Sequence, residues 1–387
     1  VFRRQWPSVY EALQDTRPDQ AQLMKLYIQQ IPRSERIVLA GDHTSWSRPF
    51  AKTLKERTYE HSPSQLGGRP VTVGYGYSTL AWIPEAQGSW ALPLLHERIT
   101  SWDSPISQAV QQLSSVSSHL PSRALSLWDS EYGCAPFVNQ TAKLPVDKLM
   151  RLRSNLCLWG APAAYGGRGR PKVHGDKFKL NDLTTLRNPA QQVEVDDPDL
   201  GQLGIRIGHN LHFRLSPNHE MSIQLVERLT DDGLTRVDKP MWLAFVGLKM
   251  PAVTEVWRLY LRRFAINHWY RFAKNRLHWT VPQLSTPAQC DRWSDLMPIV
   301  TWQLWLARHL VAQRPLPWQK SLVKLTPGRV AQSFGSILAL LGTPARAPKL
   351  RGKSDGWIKG KQRRPRIRYP VVKKGFSRPR KTTKKSP

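Results

Sequence analysis

Cysteine is scarce: Cys134, Cys157 and Cys290 are the only three, far apart and without a C-x-x-C pair. That excludes a disulfide framework and a cysteine-built zinc site, and it fits a reducing compartment. Long apolar runs are missing too. The longest, around 302–311, is interrupted by Arg308 and falls short of the roughly 20 residues that a membrane-spanning helix needs. Nothing near Val1-Phe2-Arg3-Arg4-Gln5-Trp6 has the apolar segment of a signal peptide, and the lack of an initial Met points to an upstream piece outside this sequence. There is no G-x-x-x-x-G-K-[ST] loop, and Gly74-Tyr75-Gly76-Tyr77 has no following lysine, so no nucleotide cofactor is expected. H-E-x-x-H and G-x-S-x-G are also missing, which leaves zinc-hydrolase and serine-nucleophile chemistry without support.

Acidic residues are the other shortage. Aspartate plus glutamate number 28 against 58 lysines and arginines, a formal net charge of +30, while hydrophobic residues remain at 40%. A chain with a normal apolar fraction folds, and one this basic implies a polyanionic partner. Its 387 residues allow two or three domains.

The pattern along the chain is mixed α/β. Residues 6–30 read as a leading helical segment with Pro32 as its stop. Residues 36–40 form a strand signal ending at Gly41-Asp42-His43-Thr44, and strand-like runs follow over 70–83 and 88–96. A helix over 104–120 opens at Asp103 or Ser104, and the apolar strand 123–128 ends at Asp129. After a strand over 149–159, a Gly-, Pro- and Arg-rich stretch and then an acidic one break the pattern. Strand character resumes over 212–215 and 241–247, a long helix is expected over 253–278, and closing helices over 286–312 and 328–341.

Two strand-end aspartates, Asp42 and Asp129, separated by a helix and followed much later by a long helix, make the layout that two-metal phosphodiester chemistry requires. Carboxylates hold two divalent ions, one activating the attacking oxygen and the other stabilising the leaving one. Strand-end aspartates also cap helices and bond loops, so position alone does not assign a metal. In the late helix, Tyr260, Arg263, Asn267 and Lys274 are spaced three, four and seven apart, which places all four on one face. The plain alternative is an amphipathic helix with solvated arginines and core aromatics.

Those four residues resemble the Tyr-x2-Arg-x3-Glu-x6-Lys signature of DDE-type insertion-sequence transposases of the RNase H-like, retroviral-integrase superfamily, with Asn267 in place of Glu. Gly41-Asp42-His43-Thr44 and Leu127-Trp128-Asp129-Ser130-Glu131-Tyr132-Gly133 are similar to that family's first two acid motifs, so the resemblance spans about 36–280. It implies an RNase H-like mixed sheet flanked by helices, interrupted by a mostly β insertion, with a helical C-terminal region. The chain then divides into an N-terminal helical segment (1–35), a first core part (36–160), the insertion (161–235), the last core strand with the catalytic helix (236–280), a helical region (281–345) and a basic disordered tail (346–387).

The resemblance further implies metal-dependent cleavage and strand transfer at transposon ends. Asp42, Asp129 and Asn267 would form the catalytic, metal-binding set for two Mg²⁺ ions, with Mn²⁺ as a substitute. Tyr260, Arg263 and Lys274 would contact phosphates near the scissile end. Double-stranded DNA, as element end and as target, would be the partner, with a homodimer forming on it, in a prokaryotic cytoplasm and associated with the nucleoid. An amide at 267 can coordinate a cation but brings no charge, so affinity for the ion should fall. Glu255 lies twelve residues earlier, about 18 Å along a helix. Glu131 alternates to the other face if its strand continues, and His268 is rotated about 100° from Asn267. The competing reading is a catalytically inactive, transposase-derived DNA-binding protein; a basic RNA-binding protein would need a module that is not visible here.

Two basic segments lie outside this constellation. Arg168-Gly169-Arg170-Pro171 resembles the core of an AT-hook, with Lys172, His174, Lys177 and Lys179 close behind. From Arg346 onward, seventeen basic residues, Arg363, Arg364 and Arg366 among them, face the single acid Asp355, a composition suited to holding DNA through counterion release. Of the sixteen tryptophans, Trp302, Trp305 and Trp318 could stack on unpaired bases, although core packing is the commoner role for such residues.

Overall fold

Val38, Leu39 and Ala40 are wholly buried, as expected of a strand covered on both faces. They open β1 (Val38–Ser47) in the computed structural model, which describes residues 15–33, 36–62, 70–185, 190–229, 240–341, 360, 362 and 365–375. β2 (Thr58–His61) and β4 (Leu92–Ile99) both pair antiparallel with β3 (Val71–Trp82), which pairs antiparallel with β1. On the other side of β1, β5 (Ala124–Trp128) and β6 (Val146–Leu152) continue the sheet in parallel. The order β4-β3-β1-β5-β6, three antiparallel strands followed by two parallel ones, is RNase H-like.

The sheet does not end there. β12 (Met241–Val246) pairs antiparallel with β6, and β11 (Ser216–Arg228) and β10 (Gly201–Phe213) extend it as a long hairpin carrying β9 (Gln191–Asp197) and β7 (Cys157–Trp159). β8 (Lys177–Lys179) pairs β7 at the far end. The strand expected over 149–159 is therefore two, β6 and β7, separated by a turn at 153–156.

Successive strand residues face opposite sides of the sheet. Leu39, Ala124, Trp128 and Met150 join α1 (Gln20–Gln29), α2 (Pro105–Ser117) and α3 (Ala135–Thr141) in one core. Val38, Ala40, Leu125, Leu127 and Leu149 pack with α4 (Val256–Leu261) and α5 (Phe264–Asn275) in the other. α2 opens on Ser104, whose hydroxyl accepts from Ser107 N while the Ser107 side chain returns to Ser104 N, with Pro105 in the first turn. α6 (Pro287–Ala307), α7 (Pro327–Ser333) and α8 (Gly335–Leu341) form the helical C-terminal region. Trp302 stacks on Tyr27 and Trp82, and Trp305 meets Trp90 edge-on, so both are core residues, while Trp318 is exposed.

Two expectations are corrected. The helix expected over 253–278 breaks at Arg262 and Arg263, where Arg262 N bonds Leu259 O, Arg263 N bonds Tyr260 O and Ala265 N bonds Arg262 O. These three-residue closures overwind the chain and divide α4, with Tyr260, from α5, so the four signature residues do not share one continuous helix. The second concerns the basic tail, expected to be disordered, of which residues 365–375 dock on the sheet. Val372 bridges Thr58 in parallel, Val372 N donates to Arg57 O (2.7 Å), Tyr369 N to Lys52 O (2.8 Å) and Gly375 N to Ser101 O (3.0 Å). β2 is an edge strand whose open backbone groups invite pairing. Lys374 Nζ also reaches Glu60 Oε1 at 2.8 Å, giving a buried carboxylate its cation. Arg363 and Arg364 lie outside the described residues, and Arg366 is exposed.

One close approach sets the strand geometry beneath the aspartates. A Cβ on Gly41 would come within 2.0 Å of the Trp128 ring, which lies over β1 on the face opposite α5. Gly41→Ala is expected to lower the unfolding free energy by about 1–3 kcal/mol, because neither the ring nor the paired strand can retreat; the urea midpoint measures it.

Candidate active site

Asp42 was expected at a strand end, but β1 runs on to Ser47 because β3 pairs it throughout, from Leu39↔Trp82 to Ser47↔Gly74. Relative to β5, however, Asp42 does lie at the end: the parallel register stops at Ala40↔Leu127, and two residues further it sets Asp42 opposite Asp129. Adjacent strands are about 4.8 Å apart. Asp42 shares the face of Val38 and Ala40, the side covered by α5, and Asp129, one residue past the end of β5, acts electrostatically on both Asp42 and Arg263.

The charges agree with this placement. Burial pushes the Asp42 carboxyl up, Arg263 opposes that, and the Asp129 carboxylate adds to it. Asp42 Oδ2 accepts from Arg263 Nη1 at 3.2 Å and Oδ1 from its neighbour His43 N at 2.8 Å. Burial disfavours the Arg263 charge, but Tyr260, Asp42 and Asp129 outweigh it and hold the guanidinium charged.

α5 reads β1 with one stripe of its surface. Arg263 bonds Asp42 Oδ2, Tyr270 Oη donates to the Asp42 carbonyl (2.9 Å) and lies 2.9 Å from Thr79 Oγ1, and Lys274 Nζ donates to Thr44 Oγ1 (2.7 Å) and the Ser45 carbonyl (3.1 Å). Positions 263, 267, 270 and 274 follow the helical repeat, so Asn267 falls between two residues that both touch Asp42. It is half-buried, and among the described residues its side chain makes no hydrogen bond.

The three residues expected to contact phosphate point inward. Tyr260 and Arg263 are buried, and Lys274 is committed to β1. Burial pushes the Lys274 ammonium down to about 8 from its ordinary 10.5. Between those two values the unfolded chain binds the proton and the folded one does not, so stability should rise with pH across that window and be flat in this respect below it. Lys274→Met should remove that part of the slope, as chemical denaturation at pH 8 and 10 would show.

Sequence reasoning missed four contributors. The strand β5 stops at Trp128, so the strand continuation on which Glu131's alternation was conditional is not there; the turn that follows sets Glu131 Oε2 3.7 Å from His43 Nε2, on the face of β1 opposite Asp42. Tyr132 Oη lies 3.3 Å from His43 Nδ1. Tyr270, read only as an apolar helix position, was findable from the repeat it shares with Arg263 and Lys274. His268 is exposed, while Glu255 sits at the start of α4. Arg168, Arg170 and Lys172 are exposed in the loop between β7 and β8.

Among the described residues, no three Asp, Glu, His or Cys side chains converge on a point suited to a metal. The donor set is two carboxylates and a neutral amide. Neighbouring carboxylates, one of them held up by burial and by the other, suit one divalent cation; the position from which a third acid would hold a second ion carries Asn267.

The large mixed sheet flanked by helices defines an RNase H-like fold. The chain belongs to the DDE superfamily endonucleases, whose family model matches residues 3–209. The match includes both aspartates and ends within β10, ahead of α5. No curated protein matches the chain. Membership implies nuclease or transposase-like action on DNA, in a superfamily that generally uses divalent metal ions. Among the described residues, no helix is long and apolar enough to cross a membrane.

Proposed function

We propose that this chain is a transposase that cleaves and joins DNA strands at the ends of an insertion element, through a metal site weakened at its third ligand. The carrying observation is Asp42, set opposite Asp129 in strand register, under the stripe of α5 that presents Asn267. Asp42 and Asp129 would hold Mg²⁺, or Mn²⁺ in its place, with the Asn267 amide oxygen as a neutral third donor and a second ion held weakly. When bound, such ions activate the attacking oxygen and stabilise the leaving one.

The chain's own residues do the rest. Tyr270 fixes the Asp42 backbone by bonding its carbonyl, and Lys274 fixes the next turns of β1. Arg263 occupies Asp42 Oδ2, an oxygen the ion would share; displaced from it, the guanidinium becomes a donor for a phosphate oxygen, the role its place in the signature implies. Double-stranded DNA is the substrate, and pairing of two ends requires a dimer on DNA.

The test is nicking of supercoiled plasmid with Mg²⁺, Mn²⁺ or EDTA. Nicking is expected with Mn²⁺ and more weakly with Mg²⁺, and to fall about a hundredfold or more in both Asp42→Ala and Asp129→Ala, as for loss of a direct ligand. Nicking in EDTA, or equal nicking by the variants, would sink the reading. The second reading, an inactive DNA-binding descendant, is favoured by the Arg263–Asp42 ion pair and predicts duplex binding with no nicking under either metal.

A further inference from the structure

The insertion carries an arm that the active site does not use. Between β7 and β8, every residue over 161–173 is exposed. Its base is pinned: Gly160 N donates to Asp176 O (3.0 Å), Gly175 N to Gly160 O (2.9 Å), and His174 Nδ1 lies 2.9 Å from His212 Nε2, the two rings stacked. Trp159 packs beside His174 and carries the Lys177 ammonium over its ring. The tip, by contrast, touches little. A Cβ built at Gly166, Gly167 or Gly169 would meet nothing within 4 Å, and Gly167 and Gly169 hold φ values of +81° and +76°. Among the described residues, the one side-chain hydrogen bond of the tip is Tyr165 Oη donating to Gly169 O at 2.8 Å.

Chemistry and shape select the partner. Over 161–175 there is no acid, and among the described residues Arg168, Arg170 and Lys172 make no ion pair. Two guanidiniums flank a glycine, so between them the arm is only a backbone thick. A minor groove is about 6 Å wide, and an A·T tract narrows it further while deepening its negative potential, which draws arginine in. Pro171 stiffens the exit from the groove.

We propose that residues 161–175 form an arm that enters the minor groove of A·T-rich duplex DNA, with Arg168 and Arg170 in the groove around Gly169 and Lys172 on the phosphate backbone. This rests on the reading of the chain as a DNA enzyme and adds where, and with what base preference, it grips the duplex.

The test is fluorescence anisotropy of the full chain with A·T-tract and G·C duplexes of equal length, over a salt series and without divalent metal. Affinity for the A·T tract should be about tenfold higher, and a small minor-groove ligand should compete for it. Arg168→Lys with Arg170→Lys keeps the charge and should abolish the preference while leaving G·C affinity unchanged; the double alanine variant should abolish it too. Lys172→Ala should lower the salt slope by about one with the preference intact. Equal affinity for the two duplexes, a preference that survives the double lysine variant, or equal binding of an RNA duplex would overturn the arm's role. Absence of all duplex binding would overturn the DNA reading as well, whereas binding without preference sinks the arm alone.

Discussion

Asn267→Glu is expected to raise metal-dependent plasmid nicking at least tenfold over the parent chain. Changes to partners that merely orient a ligand cost 10–100-fold, and here a ligand charge itself is restored. The position is the reason for the size of the effect. Arg263 and Tyr270, one turn to either side of 267, both bond Asp42, so a carboxylate at 267 projects toward the Asp42–Asp129 pair. Without an ion, a third negative charge beside two others is unfavourable, and the variant should melt below the parent in EDTA. With Mn²⁺ it should gain more in Tm than the parent does, since an ion that binds only the folded state stabilises by mass action. That second readout does not depend on turnover. If neither nicking nor the Mn²⁺-dependent Tm changes, position 267 does not belong to a metal site. If nicking appears only in the variant, the ancestral geometry is intact and the present function is DNA binding.

The legible parts of this protein were those governed by short-range periodicity. The buried run 38–40, the apolar strand 124–128 and the stripe 263, 267, 274 each carry their pattern within about a dozen residues. They were enough to propose Asp42 and Asp129 together, and the register of β1 on β5 brings the two strands into line. What could not be read depends on distant partners. The length of β1 beyond Asp42 is set by β3, forty residues on in the chain; the return of Glu131 depends on where β5 stops; and the docking of residues 365–375 depends on an open edge at β2 and a buried Glu60. The break at Arg262–Arg263 was hidden for a different reason. Both residues keep right-handed helical dihedrals, so no proline or glycine marks the change of hydrogen-bond spacing. Of the β10–β11 hairpin only 212–215 was read as strand, within an insertion expected to be mostly β, because both its faces are partly covered and the strict alternation of a half-buried strand is blurred.

Acid should destabilise this protein through His96, by on the order of 5 kcal/mol if the full proton-binding difference develops. The ring lies on β4 among Tyr77, Trp269 and Trp279, and its Nδ1 is 2.8 Å from Thr79 Oγ1. Burial, assisted by the Lys274 charge, pushes it down to about 3 from an ordinary 6.5. A histidine held neutral in the fold leaves stability intact above 6.5. As pH falls from there toward 3 the unfolded chain takes up the proton first, and stability is lost across that window. Carboxylates contribute to any acid transition, so the informative measurement is a difference. His96→Asn keeps a polar atom for Thr79 and has no proton to gain; it should be less stable at pH 7 through lost ring contacts, yet lose less between pH 7 and 4 than the parent does. Parallel urea midpoints for the two proteins over that range would rule His96 out as the acid-sensitive group. The consequence reaches the candidate site, because Thr79 Oγ1 also lies 2.9 Å from Tyr270 Oη, whose hydrogen holds the Asp42 carbonyl. Protonating His96 makes Nδ1 an obligatory donor to Thr79 Oγ1, whose own hydrogen must then point to Tyr270 Oη. The acid-sensitive ring therefore sits at the head of a hydrogen-bond chain that runs through Thr79 and Tyr270 to the Asp42 carbonyl.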